Sequence, residues 1–78
     1  MNIGELKAIF ESEKVPKDLY SLSGGLPNES YCILQVNGHW EVYYRERGIK
    51  SNIKLFDTEE DACLYIYKCV ITEIEQKV

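Results

Sequence analysis

The chain has 78 residues, 45 % of them hydrophobic and 28 % charged, with thirteen acids against nine bases and a net charge of −4. That length leaves room for one core and no second domain, and the aromatic content, six tyrosines included, excludes a disordered chain. An isoelectric point near 4.9 excludes a general nucleic-acid binder, whose phosphate contacts need a basic surface. The opening "MNIGELKAIFESEK" has neither the basic start nor the apolar run of a signal peptide. No stretch of about 18 apolar residues follows it, so the expectation is a soluble, cytoplasmic protein with no membrane partner.

Taken in chain order, Ile3, Leu6, Ile9 and Phe10 recur at helical spacing and predict an amphipathic helix over Ile3 to Ser12. Pro16 ends it, because the residue before a proline avoids helical angles. "KDLYSLSGG" offers a brief extended piece at Leu19 to Leu22. In "SGGLPNE" the pair Gly24-Gly25 suggests a phosphate cradle, but such a loop must open directly into a helix. Here it leads into Leu26-Pro27 and a strand, so it reads as a bend.

"YCILQV", Tyr31 to Val36, has the β-branched and aromatic content of a strand. Asn37-Gly38 tolerates positive φ at both centres of a type I′ turn, and "HWEVYYRER" is then the partner strand. A two-residue turn sets Val36 against His39, Ile33 against Val42 and Tyr31 against Tyr44. One hairpin face therefore carries Tyr31, Ile33, Gln35, Trp40, Val42 and Tyr44, and this is the predicted core face. The other carries Cys32, Leu34, Val36, His39, Glu41, Tyr43, Arg45 and Arg47. Gly48 marks the next turn, and "KSNIKLF" predicts a third strand with Ser51, Ile53 and Leu55 alternating against Lys50, Asn52 and Lys54. Asp57 and Thr58 supply capping oxygens for a last helix from Glu59 to Gln76. The expected fold is α+β and spans residues 1–78 as a single domain. Its order is helix, three-stranded antiparallel meander, helix, with both helices on one sheet face.

Catalytic chemistry finds little material. His39 is the only histidine, and no triad or metal set assembles around it. Cys32, Cys63 and Cys69 are an odd number, which fits reduced, buried thiols better than a disulfide framework. The carboxylates fall at helix caps and solvated faces. No enzyme, cofactor or metal site is expected.

Two features exceed what folding requires. In "EVYYRERG", Glu41, Tyr43, Arg45 and Arg47 alternate onto the outer hairpin face, and Tyr and Arg dominate protein–protein hot spots. The ordinary reading is a solvated face with cross-strand charge pairs. In "ACLYIYKCVI", Ala62, Cys63, Ile66, Cys69 and Val70 form a core stripe continued by Ile74, while Leu64, Tyr67 and Ile71 form a second. The second stripe serves self-association unless the first helix or a tail covers it.

The pieces "VPKDLYSLSGGLPNESYC", "WEVYYRERG" and "FDTEEDACLYIY" resemble a group of small bacterial immunity proteins encoded beside polymorphic toxins, including those of contact-dependent growth inhibition systems. The resemblance runs from about Val15 to Tyr67. It implies a non-enzymatic protein that binds one cognate toxin domain, often a basic nuclease, and occludes its active or substrate-binding site. Contact would then come from Glu41, Tyr43, Arg45 and Arg47 and from the acidic cluster Asp57, Glu59, Glu60 and Asp61. The alternatives are a homodimeric structural or adaptor module joined through Leu64, Tyr67 and Ile71, and a small-ligand protein using Tyr43, Arg45 and the Gly24-Gly25 bend.

Overall fold

The computed structural model describes residues 1–22 and 29–76, and the Gly24-Gly25 bend lies outside them. The first helix, α1, spans Ile3–Ser12. A reciprocal cap starts it: the Asn2 side chain accepts from the Glu5 amide at 2.8 Å, and the Glu5 carboxylate accepts from the Asn2 amide at 3.0 Å. Leu6 and Phe10, one turn apart, are its buried residues. Lys14 takes a positive φ of 57° beyond the helix, and Pro16 opens a single 3-10 turn, Lys17–Leu19.

The sheet has four strands: β1 (Tyr20–Ser21), β2 (Ser30–Val36), β3 (His39–Glu46) and β4 (Ile49–Phe56), in the spatial order β1-β2-β3-β4. The expected three-stranded antiparallel meander is its β2–β4 portion. β1 adds a parallel edge, with Tyr20 beside Tyr31 and Ser21 beside Cys32, so the sheet is mixed. Two residues carry no periodicity, so the sequence shows the extended piece but not the strand it joins.

The β2–β3 register is the one the Asn37-Gly38 turn dictates, with Val36 opposite His39, Ile33 opposite Val42 and Tyr31 opposite Tyr44. Asn37 and Gly38 both have positive φ, 50° and 82°. β4 departs from simple alternation. Its register shifts between Val42 and Tyr44, where Asn52 adopts a φ of 52° and forms a bulge. Ser51 therefore pairs with Tyr44 on the inner face, whereas Leu55 pairs with Glu41 on the outer face. The expected alignment of Ser51, Ile53 and Leu55 on one side is broken at Asn52.

The closing helix, α2 (Glu59–Gln76), lies over the inner face of the sheet with α1 beside it, both on the same side as expected. Thr58 starts it by accepting from the Asp61 amide at 3.2 Å. Ala62, Cys63, Ile66 and Val70 close the core with Leu6, Phe10, Val15, Ile33 and Val42. The two helix starts are tied together, because Glu59 accepts from the amide of Ile3 at 2.7 Å, a part-buried bond. Glu59→Ala leaves that first-turn amide unsatisfied. The expected result in urea unfolding is a loss of about 1–3 kcal/mol, larger than for Glu60→Ala on the solvent side of the same turn.

Candidate protein-contact face

Helices cover one side of the sheet; on the other, Ser30, Cys32 and Tyr43 are buried while Val36, Ile53 and Leu55 are exposed, so only part of that face is open. Strand alternation and pairing place Leu34, Glu41 and Leu55 in one row across that outer face, with Val36 and His39 in the next row towards the Asn37-Gly38 turn. Cys32 and Tyr43 follow on the other side, and then Ser30, Arg45 and Lys50.

The four side chains expected to make contact behave differently. Tyr43 is only 2 % exposed, so it is part of the face's foundation and not a projecting anchor. The Lys50 ammonium stands 4.5 Å above its ring and is held at 2.9 Å by the Glu41 carboxylate. Burial, with help from Cys32, pushes the Tyr43 phenol above its ordinary pKa; Lys50 and Arg45 pull the other way. Arg45 is half-buried, and its Nε has no hydrogen-bond partner among the described residues. Arg47 is exposed at the β3–β4 turn with a φ of 53°, next to Gly48 at 77°. That conformation suits Asn or Gly better than Arg. Glu41, Arg45 and Arg47 thus remain near the surface over a packed Tyr43–Lys50 unit.

The acidic residues do not form one patch of equals. Asp57 is exposed beside the same face, 3.6 Å from the His39 Nδ1, and Asp61 is exposed on the first turn of α2. Glu60 lies 3.7 Å from the N-terminal amine. Glu59 turns inward to cap α1, which makes it structural. The second helical stripe is likewise divided. Tyr67 is half-buried, stacked at 6.0 Å on Phe10 and donating to Glu13 at 3.2 Å, so α1 covers it. Ile71 is half-buried and Leu64 is exposed.

Sequence reasoning undervalued Ile53 and Leu55. They are 49 % and 67 % exposed, and the bulge sets them on the outer face near Leu34 and Val36. The available signal was Asn52, a residue that tolerates the left-handed region inside an otherwise regular strand.

Tyr43 also lines a cavity of about 140 Å³ with Tyr31, Tyr44, Asn52, Lys54, Tyr65 and Cys69. Arg45 does not line it, and its volume is well below the roughly 300 Å³ at which small-molecule sites begin. The cysteines are free; Cys32 and Cys63 are buried, and burial pushes the Cys63 thiol up to about 11. Among the described residues no three His, Cys, Asp or Glu side chains gather as a metal set, and no helix is long and apolar enough to cross a membrane. Compared with protein-family models, with curated proteins and with solved structures, the chain matches none.

Proposed function

We propose that this chain is a protein-binding module that neutralises a cognate bacterial toxin domain, a nuclease by class, by docking over its active or substrate-binding site. The reading rests on the family resemblance. It is supported by one structural observation, an outer sheet face whose open part combines apolar Val36, Ile53 and Leu55 with Glu41 and Arg45, with Arg47 at the adjoining turn. Such a mixture of apolar and Arg side chains at the edge of charge suits a heterologous interface. No step of chemistry is assigned to the chain itself; it acts by exclusion, in the cytoplasm of the cell that makes the toxin.

The deciding experiment expresses the C-terminal domain of the protein encoded immediately upstream, with and without this chain, and counts surviving cells. Rescue supports the reading, and killing that this chain fails to relieve overturns it. Charge should act on the encounter. Asp57→Lys with Asp61→Lys, both exposed, is expected to slow association with a basic toxin domain by about tenfold at low salt while changing dissociation little. Stopped-flow kinetics read this directly, and an unchanged on-rate removes the acidic end from the interface. These positions serve better than Glu59, whose reversal would also uncap α1.

A homodimeric module is the second reading, favoured by the exposure of Leu64, with half-buried Ile71 two turns further along α2. Sedimentation at micromolar concentration separates the two, since Leu64→Lys abolishes a dimer built there and leaves a monomer unchanged.

A further inference from the structure

The sheet ends on one side in the two residues of β1 and on the other in the eight residues of β4. Among the described residues nothing pairs with the outward backbone of β4, and an unpaired strand edge is a template for another strand. Three large apolar side chains exposed to solvent belong to this strand: Ile49, Ile53 and Leu55, with Ile49 at 69 %.

The charge of this edge is opposite to that of the molecule. β4 itself, "IKSNIKLF", carries two bases, Lys50 and Lys54, and no acid, with Arg47 in the turn before it, in a chain whose total is −4. Lys50 is held by Glu41, but Arg45, Arg47 and Lys54 enter no ion pair among the described residues. A second copy of the chain would bring two basic edges together, so self-pairing is opposed by like charge. An acidic strand is attracted along Lys50 and Lys54 and meets like charge at Asp57, beyond the strand's last residue.

The bulge defines where such a strand fits. Asn52 interrupts the edge, and beyond it Ile53–Phe56 runs regularly, with Lys54, Leu55 and Phe56 paired to Val42, Glu41 and Trp40. Ile53 and Leu55 point to the outer face. Lys54 points to the inner face, where it lines the cavity of about 140 Å³ with Asn52, Tyr31, Tyr44 and Tyr65. Lys54 brings an ammonium suited to a carboxylate, while the Glu73 carboxylate already acts on the Tyr31 and Tyr44 phenols and Tyr65 bonds to Cys69; the space holds a side chain but not a cofactor.

We infer that β4 accepts a fifth strand from a partner protein, an extended segment alternating apolar and acidic side chains, whose carboxylate enters the cavity beside Lys54. Main-chain hydrogen bonds along the edge supply affinity; Lys54 and the apolar pair supply selectivity. The site is the strand edge and not the sheet face, so it stands whether or not the partner is a toxin.

The test titrates the full chain, isotope-labelled for nuclear magnetic resonance, with the peptide acetyl-Thr-Val-Glu-Val-Glu-Val-Thr-amide. The control replaces both glutamates by lysine. The expected result is a slowing of β4 amide exchange by at least tenfold at saturating acidic peptide, with binding at least tenfold weaker for the lysine peptide. Lys54→Glu, a change at an exposed position, should reverse that preference without altering the urea midpoint by much. Three outcomes overturn the inference: no protection of β4 at millimolar peptide, equal binding of both peptides, or shifts confined to Leu34, Val36 and Glu41 on the sheet face. The survival assay cannot produce any of these, so failure of the strand site and failure of the toxin reading are separable.

Discussion

Phe10→Ala is expected to lower the unfolding free energy by about 3–5 kcal/mol, the range for removing a fully buried aromatic side chain. A chain of 78 residues has a total of roughly 4–12 kcal/mol to lose, at about 0.05–0.15 kcal/mol per residue, so the loss takes at least about a quarter of that total and all of it at the low end. The size of the effect follows from what the ring joins. Phe10 sits 4.5 Å from the ring of Tyr20 and 6.0 Å from that of Tyr67, so one side chain links α1 to the parallel edge strand and to α2. Leu6 is the only other fully buried residue of α1, and it cannot hold the helix alone. Urea unfolding followed by circular dichroism gives the number. Phe10→Leu, which keeps most of the volume, should lose under about 1.5 kcal/mol. Equal losses for the two variants would mean that ring contacts, not filled space, dominate at this position.

The second large effect is alkaline unfolding. All six tyrosines have phenols raised above their ordinary pKa, with burial the leading cause for five of them and a hydrogen bond to Glu13 for Tyr67. Burial also raises Cys69, and it moves Cys63 to about 11. In each case the native protein keeps a proton that the unfolded chain releases earlier, so the unfolded state binds fewer protons across this window. Stability must then fall as pH rises, by about 1.4 kcal/mol per pH unit for each whole proton of difference. Below about pH 7.5, where thiols and phenols are protonated in both states, these groups contribute no slope. Lys50, raised by its hydrogen bond to Glu41, adds stability that is likewise lost as the pH rises through its native value. The urea midpoint should hold steady from neutrality to the onset of thiol ionisation and then drop steeply towards pH 11. A flat midpoint to pH 11 would show that the phenols and thiols ionise as freely in the fold as out of it.

Much of this architecture can be read from residue order alone, for definite reasons. Asn37-Gly38 fixes a two-residue turn, and a two-residue turn fixes every pairing of the hairpin it closes. The bounds of both helices follow from the spacing of Leu6 and Phe10 in one and of Cys63, Ile66 and Val70 in the other. What escapes is contact made by few residues. β1 is two residues long, and the bulge depends on the backbone angle of Asn52 alone. At the candidate site, alternation correctly puts Glu41, Tyr43 and Arg45 on the outer face, because alternation is a property of any strand, but Arg47 falls in the turn beyond the strand's end. It cannot say that Lys50 folds over Tyr43, nor that Glu59 turns away from its acidic neighbours to reach Ile3. Those depend on residues brought together from different elements.

The order of elements along the chain also has a consequence for synthesis. β2, β3 and β4 are joined by two-residue turns, Asn37-Gly38 and Arg47-Gly48, and can pair as soon as they leave the ribosome. α2, which covers their inner face, comes afterwards. Until it does, Tyr31, Ile33, Trp40, Val42, Tyr44 and Phe56 have no lid, and α1, ten residues long, is too short to hold its helix unaided. The nascent chain therefore passes through a stage in which a finished sheet displays an oily surface to solvent, and this is when a chaperone of nascent chains would find it.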